Sequence, residues 1–210
     1  MALAMTTVIT RRTRGRPRKE EGPDPRQILD AAVAAFAQHG WEGTHLRQVA
    51  EAAGVDSALI ARRYDGKMGL WQAIVDDVSR RLEDMFANVA QGPDAPARDR
   101  LAGAVEAFVR LNLELPDLGR FFIDQISRPG LRRDYVIARM WEVYRAAMLP
   151  IVAAAHDPAQ PDRDPALYVS LLLGAVAMPL MMRSVTMADL HDPAVRDAFV
   201  QNVLRLFVRA

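Results

Sequence analysis

The stretch "LRQVAEAAGVDSALIARRY", Leu46 to Tyr64, leaves its backbone little freedom. Two short runs of helix-forming residues flank Gly54. Where two short helices cross around a tight turn, a small residue is needed at the crossing and glycine eases the turn. Ala50 is that small residue, Gly54 follows four positions later, and Ile60 lies six beyond it. Val49, Ala53, Val55 and Leu59 supply the other apolar contacts. The pattern predicts a helix over Leu46–Ala53 and another over Ser57–Tyr64, capped by Asp56. The second helix would display Ser57, Ala58, Ala61, Arg62 and Arg63. A helix-turn-helix places such a helix in the major groove of double-stranded DNA, N-terminal half near the base edges. The spacing alone also suits an ordinary helical hairpin.

The rest of the chain reads as helix. Asp24 is a candidate N-cap, Pro25 suits the first helical position, and Gln27 has the spacing of a capping box. Ile28, Ala32 and Phe36 recur at steps of four, and Gly40 ends that helix. "DGK" (Asp65–Lys67) is a turn before a long helix from about Gly69 to Val89. Further segments are predicted over Ala97–Leu115, Leu118–Ser127, Leu131–Ala155, Pro165–Met187 and Pro193–Val208. Asp164-Pro165 and Asp192-Pro193 repeat the cap-then-proline signal. Pro150 and Pro179 fall inside apolar helical patterns, where a kink or break is expected. No strand alternation and no internal repeat is evident, so the fold class is all-α.

The order of residues around the turn narrows the reading. Phe36 and Gly40 end the Ala-rich first helix. Trp41, Thr44, "VAEAAGV" (Val49–Val55), Tyr64, Lys67 and Leu70 come next. Together, Ile28 to Val75 resembles the N-terminal domain of the TetR (tetracycline-repressor-like) family of bacterial transcription regulators. The resemblance implies an N-terminal helix-turn-helix DNA-binding domain and a C-terminal helical ligand-binding and dimerisation domain. Residues 1–23 read as a flexible basic arm from their polar, basic, Gly- and Pro-containing composition. The expected division is arm (1–23), DNA-binding domain (24–68) and second domain (69–210). The resemblance further implies that Thr44 and His45 begin the second helix, whose N-terminus, with Arg47 nearby, faces a phosphate. Ser57 and Ala58 would lie near bases. Tyr64 would pack the end of the third helix, and Lys67 would meet a phosphate. Three positions depart from the family pattern. His45 stands where Thr or Ser is frequent, Ala61 where Tyr is usual, and Arg63 where His or Tyr is frequent. Arg62 and Arg63 are expected to offset the missing tyrosine, since arginine grips phosphate or pairs with guanine.

Net charge is +1, but the first 19 residues carry six positive charges and no negative one. A basic end on a near-neutral body suits a polyanion partner. Within it, "RGRP" (Arg14, Gly15, Arg16, Pro17) resembles the core of an AT-hook. Glycine lets the backbone approach a groove floor, proline keeps the chain extended, and the arginines enter a narrow A·T-rich minor groove. A basic tail that touches phosphates without preference is the alternative.

The second domain is rich in flexible and aromatic apolar residues. Phe108, Phe122, Trp141, Tyr144, Met178, Met181 and Met182 are the candidate lining of a pocket for an apolar or aromatic effector. By the resemblance, the last two long helices pack against a second copy, with Leu171, Leu172, Val176, Val195, Phe199, Val203 and Leu206 in a homodimer interface. A two-fold dimer fits a palindromic operator. There is no cysteine, which excludes disulfides and thiolate metal sites and suits a reducing cytoplasm. The four histidines show no metal spacing, no nucleophile is grouped with a base, and no cofactor is expected. "YVSLLLGAVAMPLMM" is followed at once by Arg183. It is shorter than the ~20 residues a spanning helix needs, so no membrane partner is expected. The reading is a cytoplasmic, ligand-responsive regulator, a repressor released from its operator by a small molecule. Its competitors are a constitutive or architectural DNA-binding protein and an all-helical enzyme.

Deleting residues 1–19 is expected to lower DNA affinity most on operators with A·T-rich flanks. A loss equal across flanks in binding titrations would assign the arm to phosphates alone.

Overall fold

Aspartate side chains cap four of the helices. Asp24 accepts a hydrogen bond from the Arg26 N–H at 2.9 Å, and Asp56, Asp164 and Asp192 accept from the N–H groups of Ala58, Ala166 and Ala194 at 2.8 Å. Each carboxylate satisfies one of the N–H groups that a helix start leaves without an intrahelical partner. At Asp24 the bond goes two residues on. The Gln27 N–H is held by the Asp24 carbonyl at 3.1 Å, and no reciprocal capping box forms.

The computed structural model of the protein describes residues 24–90, 95–155, 164–186 and 189–208. Among these residues every regular element is helical. The order is α1 (Pro25–Gly43), α2 (Leu46–Ala52), α3 (Ser57–Tyr64), α4 (Gly66–Ala90), α5 (Ala97–Glu114), α6 (Leu118–Ile126), α7 (Leu131–Val136), a π-helical turn (Ile137–Trp141), α8 (Glu142–Ala155), α9 (Pro165–Met181), α10 (Arg183–Thr186) and α11 (Pro193–Phe207). The basic arm lies outside the described residues. α1 is interrupted at Gly40, where its end was expected, and Trp41–Gly43 add a further turn.

The first three helices close around Ile28, Phe36, Val49 and Ile60, all fully buried. Leu70, Trp71 and Ile74 of α4 complete that cluster. The core then continues without a gap. Phe36 meets Phe121 of α6 edge-on at 6.3 Å, and Trp71 meets Tyr135 of α7 at 5.7 Å. Arg81 ties α4 to α1 through Asp30 and is braced by Asp77, each at 2.7 Å. The boundary expected between residues 68 and 69 falls inside the first turn of α4, a 25-residue helix shared by both halves.

Beyond α4, helices α5, α8, α9 and α11 pack side by side, with α6 crossing α1 and α9. The Tyr168 hydroxyl donates to the Phe207 carbonyl, and the Arg98 guanidinium donates to the Val208 carbonyl at 3.0 and 2.8 Å. These bonds fasten the end of α11 to α9 and α5. Two expectations change here. The single helix foreseen over Leu131–Ala155 contains a π-helical turn, which inserts one residue and rotates the helix beyond it. α8 runs through Pro150 to Ala155 with no break, whereas α9 stops at Met181, two residues after Pro179.

One close approach fixes the joint between α3 and α4. A Cβ placed on Gly69 would lie 1.7 Å from the Tyr64 carbonyl oxygen, so only a residue without a side chain fits. Gly69→Ala is therefore expected to destabilise the fold by about 1–3 kcal/mol, as overpacking does. Chemical denaturation checks this; an unchanged midpoint would contradict the contact.

Candidate nucleic-acid interface and effector cavity

The turn between α2 and α3 is built as a helix-turn-helix requires. The Val55 N–H returns to the Ala50 carbonyl at 2.9 Å, and Gly54 takes a φ of 66°, which L side chains adopt at a cost. Val49, Ala50 and Ile60 are buried at the crossing. This leaves one face of α3 in solvent: Ser57, Ala58, Ala61, Arg62 and Arg63 are all exposed, and so are His45 and Arg47 of the α2 start. The His45 N–H donates to Gln48 Oε1 at 2.8 Å, so α2 is closed at its N-terminus by its own glutamine.

Thr44 departs from the role expected of it. It is fully buried, and its hydroxyl donates to the carbonyls of Gly40 (2.7 Å) and Ala35 (3.2 Å). It caps the end of α1 and sets the entry to α2, and its side chain cannot reach a phosphate. The two arginines also differ. Arg63 leans back, its guanidinium 5.8 Å from the Tyr64 ring centroid, into a hollow with Asp76 and Asp77. Arg62 has no such partner among the described residues. Tyr64 is half-buried, and burial pushes its hydroxyl above the usual tyrosine range. The Lys67 ammonium lies over the Trp41 indole, 4.7 Å from its centroid, and the Arg132 guanidinium of α7 lies over the same ring at 4.3 Å. Cations are attracted to an indole face by its quadrupole. The sequence reading missed this triple contact. Trp41 and Lys67 stand in one block of the chain, but Arg132 lies too far along it to be paired with them.

In the second half, α5, α6, α8, α9 and the π-helical turn line a partly open cavity of about 210 Å³. Phe108, Phe122, Trp141, Tyr144, Met178 and Met181 all line it. Met182 does not. It ends α9 beyond the cavity and is 45% exposed. Leu82 of α4 forms part of the wall, as do Leu118, Gly119, Ile123, Met140, Leu173, Gly174 and Ala177. The π-helical turn explains how the consecutive residues Met140 and Trp141 both reach the cavity. Asn112, Ser170 and Tyr144 are the polar members of the lining, and none of the lining residues is charged. The Tyr144 hydroxyl donates to the Val169 carbonyl at 3.1 Å, and burial raises its pKa far above the usual range.

The residues expected at a dimer interface divide. Leu172, Val176 and Val203 are buried within the chain, because they lie on the inner faces of α9 and α11. Leu171 and Leu206 are exposed, and Val195 and Phe199 are half-buried. α9 is apolar on its exposed side as well: Leu167, Leu171, Gly174 and Met178, at i, i+4, i+7 and i+11, form a stripe, onto which the cavity opens between Gly174 and Met178. A helix apolar all round is one that is buried in use. Among the described residues no helix is long and apolar enough to cross a membrane.

Arg62→Ala is expected to weaken specific DNA binding by more than Arg63→Ala, about 5- to 100-fold if its contact is bidentate to a base. Anisotropy titrations at fixed salt decide it, and equal small losses for both variants would place α3 off the groove.

Comparison with known proteins matches this arrangement. Residues 28–74 fit the family model described as bacterial regulatory proteins, tetR family. The transcriptional regulator BetI of Klebsiella pneumoniae (strain 342) is 32% identical over 81 residues, which span 38% of this chain and 42% of BetI. The regulator RutR of Escherichia coli O157:H7 is 23% identical over 208 residues, 94% of each chain. Among solved structures, AibR in complex with isovaleryl coenzyme A and operator DNA superposes with a TM-score of 0.66 at 18% identity, covering 87% of this chain and 97% of AibR. That likeness is one of fold, and it extends from the reading head to the C-terminal helices. Over residues 28–74 the chain is thus similar to the tetR family of bacterial regulatory proteins.

Proposed function

We propose that the protein is a ligand-responsive, DNA-binding transcriptional repressor that grips a palindromic operator as a homodimer and is released by a small molecule. The observation that carries this reading is the double role of α4. Its first turn abuts the exposed helix α3 at Gly69, and its Leu82 walls the apolar cavity. The two points are about 20 Å apart along a straight helix. A change in the cavity that tilts α4 therefore moves α3. Related proteins act on such parts: AibR has been solved with a coenzyme A ester and operator DNA together.

A two-headed reader needs a dimer, and the outer stripe of α9 with Leu206 of α11 supplies the apolar surface for it. With two copies related by a two-fold axis, the α3 helices would meet half-sites about 34–36 Å apart, one helical turn of DNA. Ligand binding would favour dimers whose two heads no longer match that spacing. DNA fragments selected by the purified protein from random duplexes should then carry inverted half-sites at that separation. Selection of fragments with no shared sequence would favour a non-specific, architectural binder.

A second connection supports the same coupling. α7 and the π-helical turn touch α4 where Asp76 accepts hydrogen bonds from the Tyr135 hydroxyl (2.8 Å) and from Arg139 Nε (3.0 Å). α7 touches the head through Arg132 on Trp41, the ring that also holds Lys67. The π-helical turn directly after α7 supplies Met140 and Trp141 to the cavity. The cavity wall and the Lys67 ammonium are thus joined by one short helix. Arg132→Ala should leave ligand affinity within about twofold and shrink the ligand's effect on operator affinity by about 2- to 30-fold, the range of coupling changes seen for such residues. Calorimetry with and without operator measures both, and an intact ligand effect would remove α7 from the route.

A further inference from the structure

The cavity is apolar and uncharged, yet it contains one buried amide that the fold does not consume. Asn112 lies on α5 and is 3% exposed. Its Nδ2 donates to the Phe108 carbonyl one turn earlier at 2.9 Å. That bond fixes which end of the amide is which, because a carbonyl accepts only from N–H or O–H donors. Oδ1 accepts no hydrogen bond among the described residues, and Asn112 forms part of the cavity wall. Oδ1 is not among the sealed side-chain atoms that lack a partner, so its open lone pairs face the cavity, where water or a ligand can meet them.

We infer that the cavity takes an uncharged ligand bearing a single hydrogen-bond donor on an apolar frame, and that Asn112 Oδ1 is the group that reads the donor. This rests on the cavity being the effector site. The two other polar side chains are already engaged. The Tyr144 hydroxyl donates to Val169, and the Ser170 hydroxyl donates to the Ala166 carbonyl at 3.0 Å. Neither has a free proton for an anion, the second Nδ2 N–H of Asn112 is a neutral donor, and no lysine, arginine or histidine lines the cavity. The same burial that raises the Tyr144 hydroxyl pKa penalises a carboxylate or phosphate brought inside. An anionic head would lose its hydration and find no counter-charge. A hydroxyl or N–H group would exchange water for Oδ1, while its frame gained the aromatic walls of Phe108, Trp141 and Tyr144.

The test uses four probes of one shape: 4-butylphenol, 4-butylanisole, butylbenzene and 4-butylbenzoate. Binding is measured calorimetrically on the full chain, and quenching of Trp141 emission that disappears in Trp141→Phe places the probe in the cavity. The expected order is the phenol about tenfold tighter than the anisole and the benzene, a gain of the size one hydrogen bond gives, with the benzoate weaker than the phenol by at least as much. Asn112→Leu should erase the preference for the phenol over the anisole. If that variant does not fold, the order of the four probes on the natural chain still decides. Benzoate binding as tight as the phenol overturns the inference. So does a phenol preference that survives Asn112→Leu, or binding of none of the probes. Selective phenol binding that leaves operator affinity unchanged would uphold the cavity chemistry and overturn its regulatory role.

Discussion

Everything in this molecule hangs on the seating of α4 against α3. Gly69 lets the first turn of α4 press on the Tyr64 carbonyl, and the apolar residues Leu70, Trp71 and Ile74 then bury against α1–α3. A side chain at position 69 would lift the long helix away and leave the reading head without its floor. The same helix passes into the second half and reaches the cavity with Leu82, so the two halves share α4. The fold has one continuous core with a recognition helix at one end and a cavity at the other. Such packed cores shift between discrete arrangements rather than deforming smoothly. Under the proposed function, that property would turn a small bound ligand into a change of spacing between two heads.

The electrostatics of the head divide into charges held by the protein and charges left for a partner. Arg63 lies against the Tyr64 ring. Lys67 rests on Trp41. Arg62 projects from the exposed face of α3, and Arg47 lies at the start of α2. A lysine parked on an indole can leave it for a phosphate at small cost, since an exposed cation–π contact is worth about 0.5–1 kcal/mol. Arg132 lies over the same ring, so Trp41 is where α7 of the second half and Lys67 of the head meet.

Much of this was legible in the sequence, for identifiable reasons. The turn at Gly54 and the aspartate caps depend on local chemistry, and local chemistry is written in neighbouring residues. The aromatic cavity residues were legible because large apolar side chains in the helices of a bundle have few places to go. The features that escaped the sequence depend on direction. Thr44 reads as a helix start, and only the placement of the Ala35 and Gly40 carbonyls shows it turned inward. Leu172 and Leu171 are neighbours of the same type, yet one is core and the other surface, because α9 is apolar on both sides and periodicity cannot choose between them. Nothing in the sequence marks Asn112 as a cavity residue, because only the packing of α5 shows which of its sides faces the cavity. The π-helical turn at Ile137–Trp141 has no residue signature, so its effect on Met140 and Trp141 could not be foreseen.

The central claim is that occupancy of the cavity and DNA reading are coupled through α4. Thermodynamic linkage makes this coupling reciprocal. The most direct measurement is a calorimetric titration of 4-butylphenol into the protein, alone and saturated with an operator duplex that the protein has selected from random sequences. Coupling through α4 predicts that DNA weakens probe binding by the same factor by which the probe weakens DNA binding, about 5- to 150-fold for couplings of the usual size. Identical probe affinity with and without operator would contradict it.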